Sequence, residues 1–145
     1  MIQTMQVDGK PRNVNTGEIE NWGCEAEAAY HVDNHWMLKV NSAYLHMKNK
    51  IVAAPELTAY AGVNYRQGKW LATLGLQYIN NLYTAVGADE KKENFALLDA
   101  SVTYAITSAI SLWARGENLL AQKYEINLGY PMPRATFMGG VSVNF

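Results

Sequence analysis

At 145 residues and a formal charge of −1, the chain is one domain or one piece of a larger one, with no electrostatic footprint for nucleic acid and no basic stripe for anionic lipid. Its single cysteine, Cys24, rules out an internal disulfide and a cysteine-based metal site. No run of about 18 apolar residues is present to form a transmembrane helix, whereas nine Tyr, four Trp and three Phe favour pleated, half-apolar surfaces.

The amino terminus, MIQTMQVDGK, has no charged leader followed by an apolar stretch. Either a mature form begins there or an export signal lies upstream. An opening that reads as a strand end running into a loop favours the second. Ile2 to Val7 reads as a short strand and Asp8 to Gly17 as a polar loop. From Glu18 to Tyr30, Trp22, Cys24, Ala26, Ala28 and Tyr30 alternate with Gly23, Glu25, Glu27 and Ala29. Helix propensity competes within EAEAAY, but the flanking Trp and Tyr keep a two-residue phase, so a strand is expected. His31 to His35 reads as a tight turn in which Asp33-Asn34 would tolerate positive φ.

Trp36 to Met47 continues the pattern, with Trp36, Leu38, Val40, Ser42 and Tyr44 opposite Lys39, Asn41 and Ala43. After a polar loop, Lys48 to Glu56, comes Leu57 to Arg66, with Ala59, Ala61, Val63 and Tyr65 opposite Tyr60, Gly62, Asn64 and Arg66. Gln67-Gly68 would turn the chain. Trp70, Ala72, Leu74, Leu76 and Tyr78 then oppose Thr73, Gly75, Gln77 and Ile79. A charged loop, Thr84 to Asn94, precedes Phe95 to Ile106, where Leu98, Ala100, Val102 and Tyr104 alternate with Asp99, Ser101 and Thr103. Thr107-Ser108 makes another minimal turn. Ile110, Leu112, Ala114 and Gly116 then oppose Ser111, Trp113, Arg115 and Glu117. A long loop, Asn118 to Pro133, leads to a last strand in which Phe137, Gly139, Val141, Val143 and Phe145 oppose Thr136, Met138, Gly140, Ser142 and Asn144.

Short and long connections alternate, so the short turns would share one end of the sheet. That is the layout of an outer-membrane barrel, with short turns on one side and long loops on the other. The expected fold is an all-β, antiparallel, up-and-down transmembrane β-barrel of about eight strands, residues 1–145 forming one segment of a larger barrel. The apolar rows carry no Asp, Glu, Lys or Arg and would face lipid, where each charge would cost roughly 2–4 kcal/mol at the midplane. Trp22, Tyr30, Trp36, Tyr44, Tyr65, Trp70, Tyr78 and Tyr104 sit near strand ends on those rows as an aromatic girdle. Glu25, Glu27, Lys39, Asn41, Asn64, Arg66, Gln77, Asp99, Arg115 and Glu117 would face the lumen, together with Ser101, Thr103 and Asn144.

No catalytic constellation or cofactor loop emerges. There is no nucleophile motif, Gly139-Gly140 is too short to cradle a phosphate, and His31, His35 and His46 lack ligand spacing. The Asp89–Glu93 charge run reads as a solvated loop.

The carboxy-terminal third carries a more specific pattern. Gly116-Glu117-Asn118-Leu119-Leu120-Ala121-Gln122-Lys123-Tyr124-Glu125, then Gly129-Tyr130-Pro131-Met132-Pro133-Arg134 and the terminal FMGGVSVNF, resembles the end of TonB-dependent outer-membrane receptors. That resemblance implies a bacterial outer-membrane uptake receptor for an iron–siderophore, haem, cobalamin or a glycan, not an enzyme. It also implies a 22-stranded barrel enclosing an amino-terminal plug and a box that engages TonB. Neither plug nor box is recognisable here. The terminal Phe145 resembles the signal read by the barrel-assembly machinery. A self-closed eight-stranded barrel of structural or adhesive role and a soluble β-barrel carrier are the alternatives.

Overall fold

The computed structural model describes residues 2–15 and 20–145, without the side chains of Ile2, Gln3, Met5, Gln6 and Asn15. Among them every regular element is a strand. These are β1 (Ile2–Val7), β2 (Lys10–Asn15), β3 (Asn21–His31), β4 (Trp36–Met47), β5 (Pro55–Gln67) and β6 (Trp70–Ala85). They continue with β7 (Lys91–Ala105), β8 (Ile110–Glu117), β9 (Glu125–Asn127), β10 (Tyr130–Pro131) and β11 (Thr136–Val143). β3 to β8 and β11 form one seven-stranded antiparallel sheet in the order β11-β8-β7-β6-β5-β4-β3. Each strand pairs with its neighbour in this sheet, so the up-and-down meander read from the alternation is the observed topology.

Strand count is where sequence and structure part. Ile2–Val7 does not add an eighth strand to the sheet but pairs with β2 as a separate hairpin. The polar stretch expected to be loop therefore contains a strand, turned at Asp8-Gly9 with φ of 53° and 70°. Positive φ at both central residues is the type I′ signature that favours Asp-Gly. The expected strand start at Glu18 and the loop end at Thr16-Gly17 lie outside the described residues.

The loop after β6 is also shorter than the charge run suggests. β6 runs on to Ala85 and β7 begins at Lys91, so most of Thr84–Asn94 is ladder. A bulge conceals this, because register shifts between Ile79 and Leu82 and the two-residue alternation changes phase there. Asn81, at φ +50°, occupies the bulge and donates its N–H to Asn94 Oδ1 at 2.6 Å. The last strand stops at Val143, short of the chain end, although Asn144 still donates its N–H to Ala109 O.

The short connections work differently from expectation. Neither Asp33 nor Asn34 takes positive φ. Instead the Asp33 carboxylate accepts the N–H groups of His35 and Trp36 at 2.7 and 2.8 Å. These bonds, helped by the neighbouring His35, hold its pKa below the ordinary aspartate value. Thr107 repeats the device, its Oγ1 accepting from Ala109 and Ile110 in a four-residue connection. Between β5 and β6 the turn is Gly68-Lys69, one residue later than expected, with Gly68 at φ +55°.

Buried side chains gather at the long-loop end. Met47, Tyr83 and Val86 form one cluster with Leu45, Ile51, Val52 and Ala54 around them. Ile79, Leu82 and Phe95 form a second, against Leu97, Tyr124 and Ile126. The loops are thus packed structures. The stretch from Asn118 to Pro133 carries the β9–β10 hairpin and stacks Tyr124 on Phe95, ring centroids 4.2 Å apart.

Candidate functional site

The ladder carries each strand's apolar row onto a common face. Tyr30 stands opposite Leu38, Val63 opposite Leu74, Leu76 opposite Leu98, and Leu112 opposite Val141. Among the described residues nothing covers this face: Leu74 is 45% exposed, Leu76 42%, Val102 36% and Val141 61%. A soluble β-sandwich or lipocalin-like carrier turns such a row into its core, and here the row meets no second layer. His46 joins the row and stacks on Trp22 with centroids 5.4 Å apart.

The aromatics on this face sort into two bands. At the short-turn end lie Tyr30, the Trp36–Tyr65 pair at 4.5 Å and the Trp70–Tyr104 pair at 4.6 Å. Toward the long-loop end lie Trp22, Tyr44 and Tyr78, with Trp22 and Tyr44 edge to face at 5.7 Å. On three strands the two bands are joined by one spacing, since Trp22 and Tyr30, Trp36 and Tyr44, and Trp70 and Tyr78 are each eight positions apart. Eight residues rise about 27 Å along a strand. A tilt of roughly 35–45° turns that into about 20 Å of height, close to the ~25 Å apolar band of membrane barrels.

The opposite face holds Glu25, Glu27, Lys39, Asn41, Asn64, Arg66, Gln77, Asp99, Arg115 and Glu117, brought together by the same register. Only part of this set is internally paired. Arg115 and Glu117 form an ion pair at 2.7 Å, and Asp99 accepts the backbone N–H of Asn118 at 2.8 Å. Thr73 and Ser101 share a hydroxyl–hydroxyl bond at 2.6 Å. Among the described residues Glu25, Glu27, Lys39 and Arg66 take part in no ion pair. Two aromatics lie flat along this wall, over glycines. A Cβ on Gly75 would stand 2.7 Å from the Tyr60 hydroxyl, and one on Gly140 would stand 2.8 Å from the Trp113 ring.

Two polar knots above the sheet went unrecognised in the sequence. Asn118, buried and at φ +48°, donates Nδ2–H to Gln122 O and Pro133 O and accepts the Gln122 N–H on Oδ1. Its own N–H goes to Asp99, and Leu119 N–H goes to Leu98 O. Gly116 is small because a Cβ there would meet Leu119 and Phe137. The Gly-Glu-Asn-Leu element is therefore the latch that turns β8 into the loop. Tyr124, five positions beyond Leu119, has its hydroxyl pKa raised, first by burial and then by the nearby Asp99 and Glu117 charges.

The second knot lies beyond the apolar rows, at the loop-side end of β5. Glu56 accepts from Lys50 Nζ and the Tyr83 hydroxyl, both at 2.6 Å, and from Asn81 Nδ2 at 2.8 Å. Lys50 and Lys92 each place an ammonium 5.1 Å from the Tyr83 ring centroid. These donors, Lys50 foremost, push the Glu56 pKa down to about 2. Lys50 is raised correspondingly. Among the described residues no three His, Cys, Asp or Glu side chains gather as a metal-binding group. His31 and His35 lie by the first short turn, apart from His46 at the other end of β4.

The chain matches the family described as TonB dependent receptor-like, β-barrel, over residues 1–119. The residues from Leu120 onward that contribute to the carboxy-terminal resemblance lie beyond that match. No curated protein matches the chain. Among solved structures, the chain is similar to the copper transporter OprC, at 21% identity and a TM-score of 0.79 over 100% of this chain and 27% of that one. It is also similar to the ferric-catecholate import receptor Fiu from Escherichia coli K12 in its closed form, at 20% identity and a TM-score of 0.66 over 99% of this chain and 23% of that one. The chain thus spans about a quarter of the length of each.

Proposed function

Because this chain belongs to the TonB-dependent receptor-like β-barrel family and so to the bacterial outer membrane, we propose that it is a wall segment of a nutrient-uptake receptor. Residues 1–145 act as one barrel segment, with the apolar face on lipid and the charged face toward the lumen. The carrying observation is the uncovered apolar face, bracketed by aromatics eight positions apart on three strands. On this reading Trp22, Tyr30, Trp36, Tyr44, Tyr65, Trp70, Tyr78 and Tyr104 are the interfacial girdle. The ten charged and amide side chains of the opposite face line the lumen.

Open edges support a larger barrel over a self-closed one. β3 and β11 stand at opposite edges and do not pair with each other. Backbone groups left unpaired in lipid cost several kcal/mol each, so both edges call for further strands. A plug filling the lumen, TonB as the energy-coupling partner and assembly through the machinery that reads Phe145 complete the reading. The packed loops Lys48–Glu56 and Asn118–Pro133, with the β6–β7 tip, form the mouth. The two structural neighbours handle copper and ferric catecholate by name. A metal-bearing cargo such as an iron–siderophore, haem or cobalamin is the substrate class we assign, carried without a catalytic step.

Thiol labelling in intact outer membranes tests the orientation. In a Cys24→Ser background, Thr73→Cys should react with a charged, membrane-impermeant reagent, whereas Leu74→Cys should react only after denaturation. Equal labelling of the two in the membrane would remove the lipid-face assignment. Metal-limited growth of a strain lacking the receptor tests the cargo class, and unimpaired uptake of every metal complex offered would count against it.

A further inference from the structure

At the short-turn end of the charged face lies a cavity of about 530 Å³ lined by residues that include His31, His35, Lys39, Asn64, Arg66 and Thr73. Its makeup is lopsided. Arg66 and Lys39 are basic side chains without an ion pair among the described residues, and two imidazoles lie beside them. The ladder sets these groups together: Arg66 donates its backbone N–H to His35 O, Asn64 stands opposite Met37, and His31 stands opposite Met37 from the other side. Gly62, opposite Lys39, is covered by the Tyr60 ring and stands outside the hollow.

The one acid in the lining does not neutralise these cations. Both strong interactions of Asp33 are with backbone N–H groups of its own turn, and its oxygen lies 3.8 Å from His35 Nδ1. Glu27, on the neighbouring strand diagonal to Lys39, lines a separate hollow with it and offers Lys39 alone a counter-charge. Of the other acids of this face, Asp99 and Glu117 are already engaged by Asn118 and Arg115, and Glu25, opposite Ala43, does not line the hollow. A planar guanidinium with free donors, an ammonium, an amide and a hydroxyl around one hollow form a complement for carboxylate oxygens. Arginine supplies the two-pronged geometry and lysine a point charge. The volume falls within the range of small-molecule sites.

We propose that this hollow is a carboxylate-binding site, Arg66 being its anchor and Lys39 its second cation. It rests on the charged face being the lumen wall, which the labelling experiment above tests separately. The carboxylates come from a free organic polyacid or from acidic side chains of a polypeptide lying in the lumen. The test measures binding of citrate and of a tetra-aspartate peptide, at equal ionic strength, to the complete polypeptide purified from outer membranes in detergent. Saturable citrate binding without peptide binding assigns the free acid, and preferential peptide binding assigns the polypeptide source. Either should weaken at least tenfold with Arg66→Gln and stay within twofold with Arg115→Gln, both variants keeping the heat-modifiable gel migration of a folded barrel. Absence of binding by both probes, or equal loss with Arg66→Gln and Arg115→Gln, overturns the proposal.

Discussion

Asn118 gives the sharpest test of how the loops are held. Asn118→Ala removes three side-chain hydrogen bonds, to Gln122 O, Gln122 N–H and Pro133 O, from a buried position. Each is worth about 1 kcal/mol net. Alanine also tolerates a φ of +48° less well than asparagine, at a cost of about 1 kcal/mol. Allowing for water reaching some of the freed groups, the loop loses on the order of 3 kcal/mol, which raises its open population about a hundredfold. Lys123 within the stretch and Arg134 just after it are exposed trypsin sites. Cleavage of a transiently opened segment tracks its open population when closing is fast. Trypsin should therefore nick the variant about a hundred times faster at these two bonds in intact membranes, with the barrel itself unaffected. Asn118→Gly, which restores the backbone freedom but not the bonds, should fall between the two. Cutting of Asn118→Ala within threefold of the wild-type rate would refute the latch.

Acid should loosen the loop on the other side of the mouth. The Glu56 pKa is about 2 when folded against 4.5 ordinarily, so its stabilisation is complete above about pH 4.5 and lost as pH falls toward 2. Hydrogen exchange of residues 48–56 should rise over that window, and Glu56→Gln should abolish the rise. Leu74→Arg on the exposed apolar row should cost roughly 2–4 kcal/mol and sharply lower the yield of heat-modifiable barrel, whereas Thr73→Arg on the opposite row should assemble normally. Gly75→Ala should lower stability by about 1–2 kcal/mol in denaturant unfolding by displacing the flat Tyr60 ring. In a Tyr60→Ala background the same change should cost much less; an equal cost in both backgrounds would dismiss the contact.

Two-residue alternation made most of the sheet legible. Wherever apolar and polar residues took strict turns, as in Trp36 to Tyr44 or Leu98 to Tyr104, strand, face and neighbour followed directly. It failed where the phase broke. The Asn80-Asn81 bulge shifts the register, so the last two residues of β6 and the first four of β7, Lys91 to Asn94 with two lysines and a glutamate, looked like loop. β2 was hidden because KPRNVN lacks an apolar row, even though Asp8-Gly9 before it carries the hairpin signal. Which face each aromatic and each charged residue shares was readable, because that depends on position within one strand. The knots around Asn118 and Glu56 were not, because the bonds that close them, to Pro133, Asn81 and Tyr83, join residues 15 or more positions apart. The Gly-Glu-Asn-Leu pattern did mark the first as a place of consequence without saying what it held.

The extension of β6 past Tyr78 to Ala85 runs about 20 Å further along the strand. On the proposed membrane placement it lifts the β6–β7 tip clear of the headgroups like a mast. Asp89 and Glu90 stand at its tip, between the end of β6 and the start of β7. Because the bulge separates this mast from the regular ladder below, its tip can vary in sequence while the wall stays sealed.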